Sequence, residues 1–332
     1  MNNLRAGIIG CGNIFTMHAT SVANLDGVEL AAVCDVKPER LAYARQTYPA
    51  AAYTDYKEMI RREKLDAVHI CTPHYLHTEM ARFAFENGVH VLSEKPMSIG
   101  LKDAEECVAL AEQKGLCYGV IFQCRYNTAS QLVKKYLDNG TLGHIISARV
   151  VLTWHRPDSY YALSDWKGTP DKEGGGVVID QAIHSLDLAN WFIQSKPVKI
   201  EASLNNRNHK IMTVEDSAEG MIWYENGAIL GFWTMNSYGC DEPIEIRLFC
   251  EKGKAVLSYD EAVVTLNSGE VISAKQQAEK IRYKDGKEYW GFQHIKQIGQ
   301  FYDAVVRKEE PEISGREALK IQKIITKIYK RQ

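Results

Sequence analysis

The first 120 residues alternate nearly continuous apolar runs with longer amphipathic stretches, and this alternation constrains the fold more than any other feature. The runs are rich in Val, Ile and Ala and cover residues 5–9, 28–34, 67–71, 89–92 and 117–121. Apolar runs without polar alternation are typical of parallel strands that helices cover on both faces. Between them, the predicted helix over residues 37–48 has Pro38 in its first turn, where proline is favourable, and Gly115 ends the predicted helix over residues 101–114. The sequence therefore predicts a doubly wound α/β domain here.

The chain after about residue 122 has a different pattern, with strand candidates separated by turn signals over residues 197–283. This region is mostly antiparallel in character, and residues 155–176 resemble a loop. One long strand is predicted over residues 144–154. Helices are predicted over residues 126–137, 180–193, 289–306 and 315–329. A length of 332 residues suits about two domains, so we predict domains over residues 1–122 and 123–332.

Charge balance and the lack of long apolar stretches exclude several classes of protein. The chain has 40 basic and 42 acidic side chains, so we expect neither nucleic acid nor an anionic membrane as a partner. No run approaches the ~18 apolar residues of a membrane span, and because the first residues lead directly into a predicted strand, we expect no signal peptide. The eight cysteines form no C-x-x-C pair, so we expect reduced thiols, no metal site and a cytoplasmic protein.

The first predicted strand ends in Gly10-Cys11-Gly12-Asn13-Ile14-Phe15 and then enters a helix, which is the position of a dinucleotide-binding fingerprint. Gly10 permits a tight turn and Gly12 lets the backbone approach a pyrophosphate, although an ordinary strand–helix turn can carry the same pair. Asp35 ends the second strand, where a carboxylate accepts hydrogen bonds from ribose hydroxyls and repels a 2′-phosphate. This pattern favours NAD, whereas Lys37 and Arg40 keep NADP possible. A carboxylate that only faces a helix N-terminus is the alternative for Asp35.

Three further motifs complete a recognisable pattern. They are Thr72-Pro73-His74-Tyr75-Leu76-His77, Glu94-Lys95-Pro96, and Gly174-Gly175-Gly176 followed by Asp180 and His184. With residues 10–14, His18 and the closing segment 294–319, the chain resembles the glucose-fructose oxidoreductase, inositol dehydrogenase and MocA family (Gfo/Idh/MocA) over essentially its whole length. Two positions depart from the family pattern: Phe15 stands where Ala is frequent, and His74 stands where Asn is usual. The role of His74 is left open.

The resemblance implies an NAD(P)-dependent oxidoreductase acting on a sugar, an inositol or a sugar derivative. It implies a Rossmann domain followed by an α+β domain with an open, mostly antiparallel sheet. In this family that sheet often forms the oligomer interface, so a homodimer or homotetramer is expected. The cofactor-binding residues that the motifs imply are Gly10, Gly12, Asn13, Ile14, Asp35, Thr72, Pro73, His77, Glu94 and Lys95.

The same resemblance implies that Lys95, Asp180 and His184 are catalytic. Oxidising an alcohol needs a base for the hydroxyl proton, and an imidazole with its ordinary pKa of about 6.5 suits that exchange. Asp180 lies four residues before His184 on a predicted helix, where it could orient the imidazole or bind a substrate hydroxyl. Lys95 follows a strand and would stabilise a developing alkoxide. A surface Asp–His pair and a solvated loop lysine are the plainer alternatives.

Substrate contacts are expected from residues that follow the last strand of the predicted α/β domain, residues 117–121, and from an aromatic loop. Aromatic faces beside polar groups suit a sugar ring, although Tyr, Trp and Arg are also common at protein interfaces. His294 is expected at the pocket rim or in a structural role. The predicted substrate residues are Arg125, Tyr126, Asn127, Tyr160, Trp166, Asp180 and His184.

Two other functions fit the same residues. One is a glycosidase that oxidises the C3 hydroxyl transiently with bound NAD and forms no net NADH. The other is an NAD-binding regulator without catalysis, which the presence of Lys95, Asp180 and His184 disfavours.

Overall fold

The computed structural model describes residues 3–258, 261–275 and 293–330. The chain forms two compact units, each with its own sheet. The first comprises Met1–Gln123 and Glu279–Gln322, and the second comprises Cys124–Ala278 and Lys323–Gln332. The predicted division at residue 122 lies close to the first of these boundaries. It differs from the structure because it assigned every later residue to the second domain.

Six parallel strands form the sheet of the first unit. They are Leu4–Ile9 (β1), Val28–Cys34 (β2), Ala51–Tyr53 (β3), Ala67–Ile70 (β4), His90–Ser93 (β5) and Tyr118–Val120 (β6). Their order is β3-β2-β1-β4-β5-β6, with every neighbouring pair parallel. This doubly wound order confirms the predicted Rossmann fold. It places a topological switch point between β1 and β4, where ligands bind beyond the carboxyl ends of the strands.

Five helices connect these strands. They are Phe15–Ala23 (α1), Pro38–Thr47 (α2), Tyr56–Arg62 (α3), His77–Glu86 (α4) and Leu101–Lys114 (α5). The predicted helices over residues 37–48 and 101–114 are confirmed as α2 and α5. Helix α5 ends at Gly115, whose φ of 65° is a left-handed conformation that glycine adopts without a steric penalty.

Eight strands form the sheet of the second unit. They are Ile145–Thr153 (β7), Pro197–Asn205 (β8), Ser217–Tyr224 (β9), Ile229–Met235 (β10), Glu245–Cys250 (β11), Gly253–Ser258 (β12), Glu261–Leu266 (β13) and Val271–Lys275 (β14). Their order is β14-β13-β12-β11-β7-β10-β9-β8. Only the pairing of β7 with β10 is parallel among these strands, so the predicted open, mostly antiparallel sheet is confirmed.

Helices cover one side of this second sheet. They are Thr128–Asp138 (α6) and Ile183–Ile193 (α8); α6 contacts β13 and β14, and α8 contacts β7. A π-helical turn, Val178–Ala182, precedes α8, so the predicted helix over residues 180–193 is confirmed with an irregular start. A short helix, Asp158–Ala162 (α7), lies in the stretch predicted as a loop.

Two helices follow residue 293, His294–Arg307 (α9) and Gly315–Tyr329 (α10). Helix α9 packs on α1, and its Phe301 shares a core with Leu92 and Ile121. Because its apolar face is buried there, α9 belongs to the first unit although it follows the second in sequence. The predicted helix over residues 289–306 agrees with α9 from residue 294 onward, and residues 289–292 lie outside the described part.

The structure also bears on the cysteines and on membrane insertion. Within the described residues, every helix is too short or too polar to cross a bilayer. All eight cysteines are free thiols, and seven are buried, with Cys240 exposed. Burial raises the pKa of Cys11 and Cys34 to about 12, which keeps these thiols protonated at neutral pH.

Candidate active site

The turn after β1 has the backbone geometry of a pyrophosphate-binding loop. Gly10 has a φ of 97°, and a Cβ there would lie 2.5 Å from the Cys71 carbonyl oxygen. At Gly12 the nearest atom to such a Cβ is an Arg40 nitrogen at 3.5 Å, which leaves the turn open on that side. Asn13 is exposed and Ile14 half-buried on the same turn. Gly10 is therefore needed for the turn itself, and Gly12 leaves room beside it for a ligand.

Phe15 occupies the third position of the fingerprint and is fully buried at the start of α1. Its ring meets Tyr48 edge-on, with centroids 5.8 Å apart, and packs in a core with Val33 and Leu41. The bulky side chain thus points into the space between α1 and α2. The departure from the family pattern is accommodated without closing the glycine turn.

Asp35 is held rigidly at the end of β2. The Cys11 N–H donates to its Oδ2 at 2.8 Å and the Lys37 N–H donates to its Oδ1 at 2.9 Å. Arg40 Nη1 lies 3.6 Å from Oδ2. Each carboxylate oxygen retains a further lone pair, so the group can still accept hydrogen bonds from ribose hydroxyls.

The Thr72-Pro73 turn follows β4 and is tied to the Glu94-Lys95-Pro96 turn after β5. His77, at the start of α4, makes the link: its Nε2 lies 2.8 Å from the Thr72 carbonyl oxygen and its Nδ1 lies 2.7 Å from that of Pro96. His77 is fully buried, and His74 is buried beside it with ring centroids 5.9 Å apart. His77 therefore fixes the two predicted cofactor turns relative to each other.

Lys95 is half-buried just beyond the carboxyl end of β5, an interior strand of the sheet, and the sequence likewise predicted it after a strand. The preceding Glu94 turns its carboxylate inward, where His18 Nε2 lies 2.9 Å and His294 Nε2 lies 3.4 Å from Oε1. Burial raises the pKa of Glu94, but the hydrogen bonds from the two imidazoles outweigh burial and hold the pKa well below its usual range. His294 thus has a buried position in the first unit.

In the second unit, the predicted Tyr160, Trp166 and Asp180 lie around one ammonium group. Lys167 Nζ lies 2.8 Å from Asp180 Oδ2, 4.9 Å from the Tyr160 ring centroid and 4.4 Å from that of Trp166. The Tyr160 hydroxyl donates to the same Asp180 oxygen at 3.3 Å. The structure therefore brings these three predicted residues together.

Lys167 and Glu173 complete this cluster and were missed in the sequence. Burial lowers the pKa of Lys167, but Asp180, Tyr160 and Glu173 outweigh it, and the pKa is raised. Burial and the nearby Asp180 raise the pKa of Glu173 to about 7. The available signal was position: Lys167 directly follows Trp166, and Glu173 directly precedes the triple glycine.

The triple glycine and His184 flank the π-helical turn that carries Asp180. A Cβ on Gly176 would lie 1.9 Å from the Glu215 carbonyl oxygen, so only glycine fits there. The Glu215 carboxylate accepts from the N–H groups of Gly176 and Val178, at 2.9 and 3.1 Å, and from the Tyr329 hydroxyl at 2.7 Å. His184 follows in the first turn of α8. Glu215 is thus a further residue that the sequence did not reveal.

Arg125 lies inside the second unit rather than on an open surface. Its Nε and Nη2 donate to the two Asp187 oxygens at 2.7 and 2.6 Å, and both side chains are buried. The guanidinium also lies 5.4 Å from the Trp191 ring centroid. Asn127 is buried at the start of α6 and Tyr126 is half-buried beside it. The two-point ion pair makes Arg125 a link between its turn and α8.

The parallel strand order, the open glycine turn and the anchored Asp35 define the first unit as a dinucleotide-binding Rossmann domain. Residues 4–122 match the family model described as "Oxidoreductase family, NAD-binding Rossmann fold". Residues 130–256 match the model of the GFO/IDH/MocA C-terminal domain. The chain belongs to the Gfo/Idh/MocA family of NAD-binding oxidoreductases, as its motifs predicted.

Individual relatives agree with this assignment. The chain is 30% identical over 297 residues to D-glucoside 3-dehydrogenase of Escherichia coli (strain K12), covering 82% of this chain and 82% of the relative. It is 25% identical over 324 residues to myo-inositol 2-dehydrogenase of Thermotoga maritima, covering 94% and 91%. The crystal structure of the WlbA dehydrogenase from Bordetella pertussis, in complex with NADH and UDP-GlcNAcA, is 27% identical, with a TM-score of 0.85 and coverage of 99% and 96%.

Proposed function

We propose that the protein is an NAD-dependent dehydrogenase that transfers a hydride between the nicotinamide and a hydroxyl- or keto-bearing carbon of a sugar, an inositol or a sugar derivative. The observation that carries the proposal is the cluster of Tyr160, Trp166, Lys167 and Asp180 in the second unit. Aromatic faces beside fixed hydrogen-bonding groups suit the mixed apolar and hydroxyl surface of a polyol ring. Relatives named as glucoside and inositol dehydrogenases support the same substrate class.

The reaction needs one proton transfer and one hydride transfer. The first unit would hold NAD, which would supply the hydride acceptor. His184 is proposed as the base that takes the hydroxyl proton, and Lys95 as the ammonium that donates a hydrogen bond to the reacting oxygen and stabilises its negative charge. In reduction, His184 returns the proton to the oxygen. Asp180, held by Lys167 and Tyr160, is proposed to accept a hydrogen bond from a substrate hydroxyl.

Tyr126 and Asn127 remain proposed substrate contacts, and Arg125 is proposed to hold their turn in place through Asp187. In the first unit, Gly12, Asn13, Ile14 and Asp35 are proposed to bind the pyrophosphate and the ribose. Thr72 and Pro73 are proposed to contact the cofactor directly, and His77 is proposed to support that contact from within the domain. The protein is proposed to act in the cytoplasm.

Preference for NAD over NADP is proposed to rest on Asp35. Asp35→Ser should raise the dissociation constant for NAD by about tenfold or more, because a hydrogen bond to a charged group contributes about 1.5–3 kcal/mol. The same change should strengthen NADP binding, since the repelling carboxylate is gone and Arg40 remains next to the site. Titration calorimetry with both cofactors measures the ratio of the dissociation constants for NAD and NADP. Glu39→Ser, which removes an exposed carboxylate from the first turn of α2, is the control and should leave this ratio unchanged. An unaltered ratio in the Asp35 variant would remove this residue from cofactor selection.

The substrate class is tested by following NADH absorbance with NAD or NADP and a panel of aldoses, inositols, uronates and glycosides. Net NADH formation with at least one of them is the expected result. Cleavage of a glycoside without net NADH would replace the dehydrogenase with a glycosidase. Cofactor binding with neither reaction across the panel would favour a regulator.

The face of the second sheet that α6 and α8 leave open, within the described residues, is proposed to join copies of the chain. Three apolar side chains share that face: Met221, Trp233 and Phe249, which are 39%, 41% and 47% exposed. Exposed apolar patches on a flat sheet are typical of association surfaces. Light scattering should give a mass that is an even multiple of 37.5 kDa, and a monomer at working concentration would contradict the proposal.

A further inference from the structure

A continuous row of hydrogen-bonded side chains runs through the interior of the first unit. The Tyr302 hydroxyl lies 2.8 Å from His69 Nε2, and His69 Nδ1 lies 2.8 Å from His18 Nδ1. His18 Nε2 lies 2.9 Å from Glu94 Oε1, and the Lys95 N–H donates to Glu94 Oε2 at 3.2 Å. We call the four side chains of this row, Tyr302, His69, His18 and Glu94, the relay, and all four are buried. The row therefore ends on the backbone of Lys95.

Only one placement of protons satisfies every contact in this relay when the imidazoles are neutral and Glu94 is a carboxylate. A carboxylate only accepts, so His18 must carry its proton on Nε2. A neutral imidazole has one donor, so His18 Nδ1 accepts from His69 Nδ1–H, and His69 Nε2 accepts from the Tyr302 hydroxyl. Burial lowers the pKa of both imidazoles, which supports the neutral forms. The relay therefore has a direction, from Tyr302 to Glu94.

A protonated Glu94 would reverse the row. Its O–H would donate to His18 Nε2, His18 Nδ1–H would donate to His69, and His69 Nε2–H would donate to the Tyr302 oxygen. His294 opposes this state, because its Nε2 lies 3.4 Å from the same Glu94 oxygen and stabilises the anion. The two tautomers of His18 and His69 thus report which form of Glu94 is present.

We propose that the relay of Tyr302, His69, His18 and Glu94 positions Lys95 for the reaction, with the Glu94 carboxylate fixing the Lys95 backbone from inside the domain. His77 binds the other side of the same turn through the Pro96 carbonyl oxygen. His18, His69 and Glu94 are accordingly proposed as positioning residues, and for Glu94 this replaces the cofactor-binding role that the motifs implied. The inference rests on the proposed role of Lys95 in catalysis.

The same ligand atoms of His18, Glu94 and His294 lie within 4.8 Å of one another, so they could also hold a metal ion. The relay accounts for these distances as hydrogen bonds. The relay and a metal site differ in metal content, because a bound metal ion would remain with the protein through purification. Elemental analysis of the purified protein measures the metal content per chain. A content far below one metal ion per chain supports the relay, and one divalent metal ion per chain would overturn it.

The tautomers are measured on the unaltered protein, so no variant needs to fold. Long-range proton–nitrogen NMR of protein labelled with ¹⁵N-histidine, with single substitutions for assignment, distinguishes the three forms of each ring. The expected result is His18 protonated on Nε2 and His69 protonated on Nδ1. Reversed tautomers, or an imidazolium at His18, would overturn the relay whatever the activity.

Glu94→Gln tests the positioning role. It keeps the size of the side chain but turns one acceptor into a donor facing the Lys95 N–H. We expect kcat to fall about tenfold or more, because small displacements of catalytic groups are costly, while NAD affinity stays near that of the unaltered protein. Glu79→Gln makes the same chemical change at an exposed carboxylate of the first unit and should leave both values unchanged.

The outcomes separate this inference from the proposed function. Unchanged kcat in Glu94→Gln would overturn the positioning role. A loss confined to NAD affinity would also overturn it, by making Glu94 a cofactor ligand. If Lys95→Ala itself turns over normally, the proposed function of Lys95 fails, whereas the tautomers still decide whether the relay exists.

Discussion

Lys95→Ala and His184→Ala are each expected to lower kcat by about 10²-fold or more, because each removes a group that handles charge or a proton at the reacting oxygen. The structure supports both assignments separately. Lys95 lies half-buried beyond the carboxyl end of β5, on a turn fixed by Glu94 and His77. His184 lies in the first turn of α8, directly after the π-helical turn of Asp180. Steady-state kinetics with the best substrate of the panel gives kcat for each variant.

Two matched variants control for the loss of a charge or a ring. Lys102→Ala removes a lysine whose side chain is 90% exposed in the same unit. His144→Ala removes an exposed histidine of the second unit. Both should turn over at the normal rate. NAD affinity should be retained in His184→Ala, since that residue is assigned to the substrate. Near-normal turnover in either active-site variant would exclude that residue from the mechanism.

The Rossmann sheet was predictable because its strands are short, apolar and contiguous in sequence. Helices α2 and α5 were predictable too, since a proline and a glycine mark their ends. Strand β3 was not, because its three residues are largely exposed and resemble a loop. Nor does the sequence reveal which core α9 joins. An amphipathic face predicts burial, but only the fold selects the partner, which here is α1.

The site residues likewise divide into those that the sequence predicts and those that only the folded structure brings together. Gly10, Gly12 and Asp35 are recognisable because a local turn and a strand end carry their function. The Tyr302–His69–His18–Glu94 relay is not, since the contacting residues are separated by 233, 51 and 76 positions. The charge of Arg125 is evident from the sequence, but the sequence does not predict its ion pair with Asp187, because Asp187 lies 62 positions away. Long-range pairing decides whether such a charge contacts a ligand or a neighbouring side chain.

Mild acidification is expected to destabilise the first unit through His18 and His69, whereas Glu173 in the second unit, with its pKa raised to about 7, contributes stability in the opposite direction. His18 and His69 have pKa values lowered by burial, so below about pH 6.5 the unfolded chain binds more protons than the folded one. Their contribution is fully present above the unfolded pKa and is lost as pH falls toward the folded values. Each ring can then lower the free energy of unfolding by up to about 1.4 kcal/mol per pH unit, and the two rings together by about 3 kcal/mol per pH unit.

The histidine contribution should lower the urea unfolding midpoint at about pH 5.5 relative to that at about pH 7.5, and Glu173 should offset part of this difference. His69→Gln should reduce this difference, because one titrating ring is removed, and His144→Gln should not, because that side chain is exposed. Burial lowers the pKa of His77 as well, although the Thr72 and Pro96 carbonyl oxygens, to which a protonated ring can donate, act in the opposite direction. Glu94 has a lowered pKa, so its contribution is present above about pH 4.5 and is lost only as pH falls further. The same pH dependence in His69→Gln as in the unaltered protein would contradict a neutral, buried imidazole at this position of the first unit.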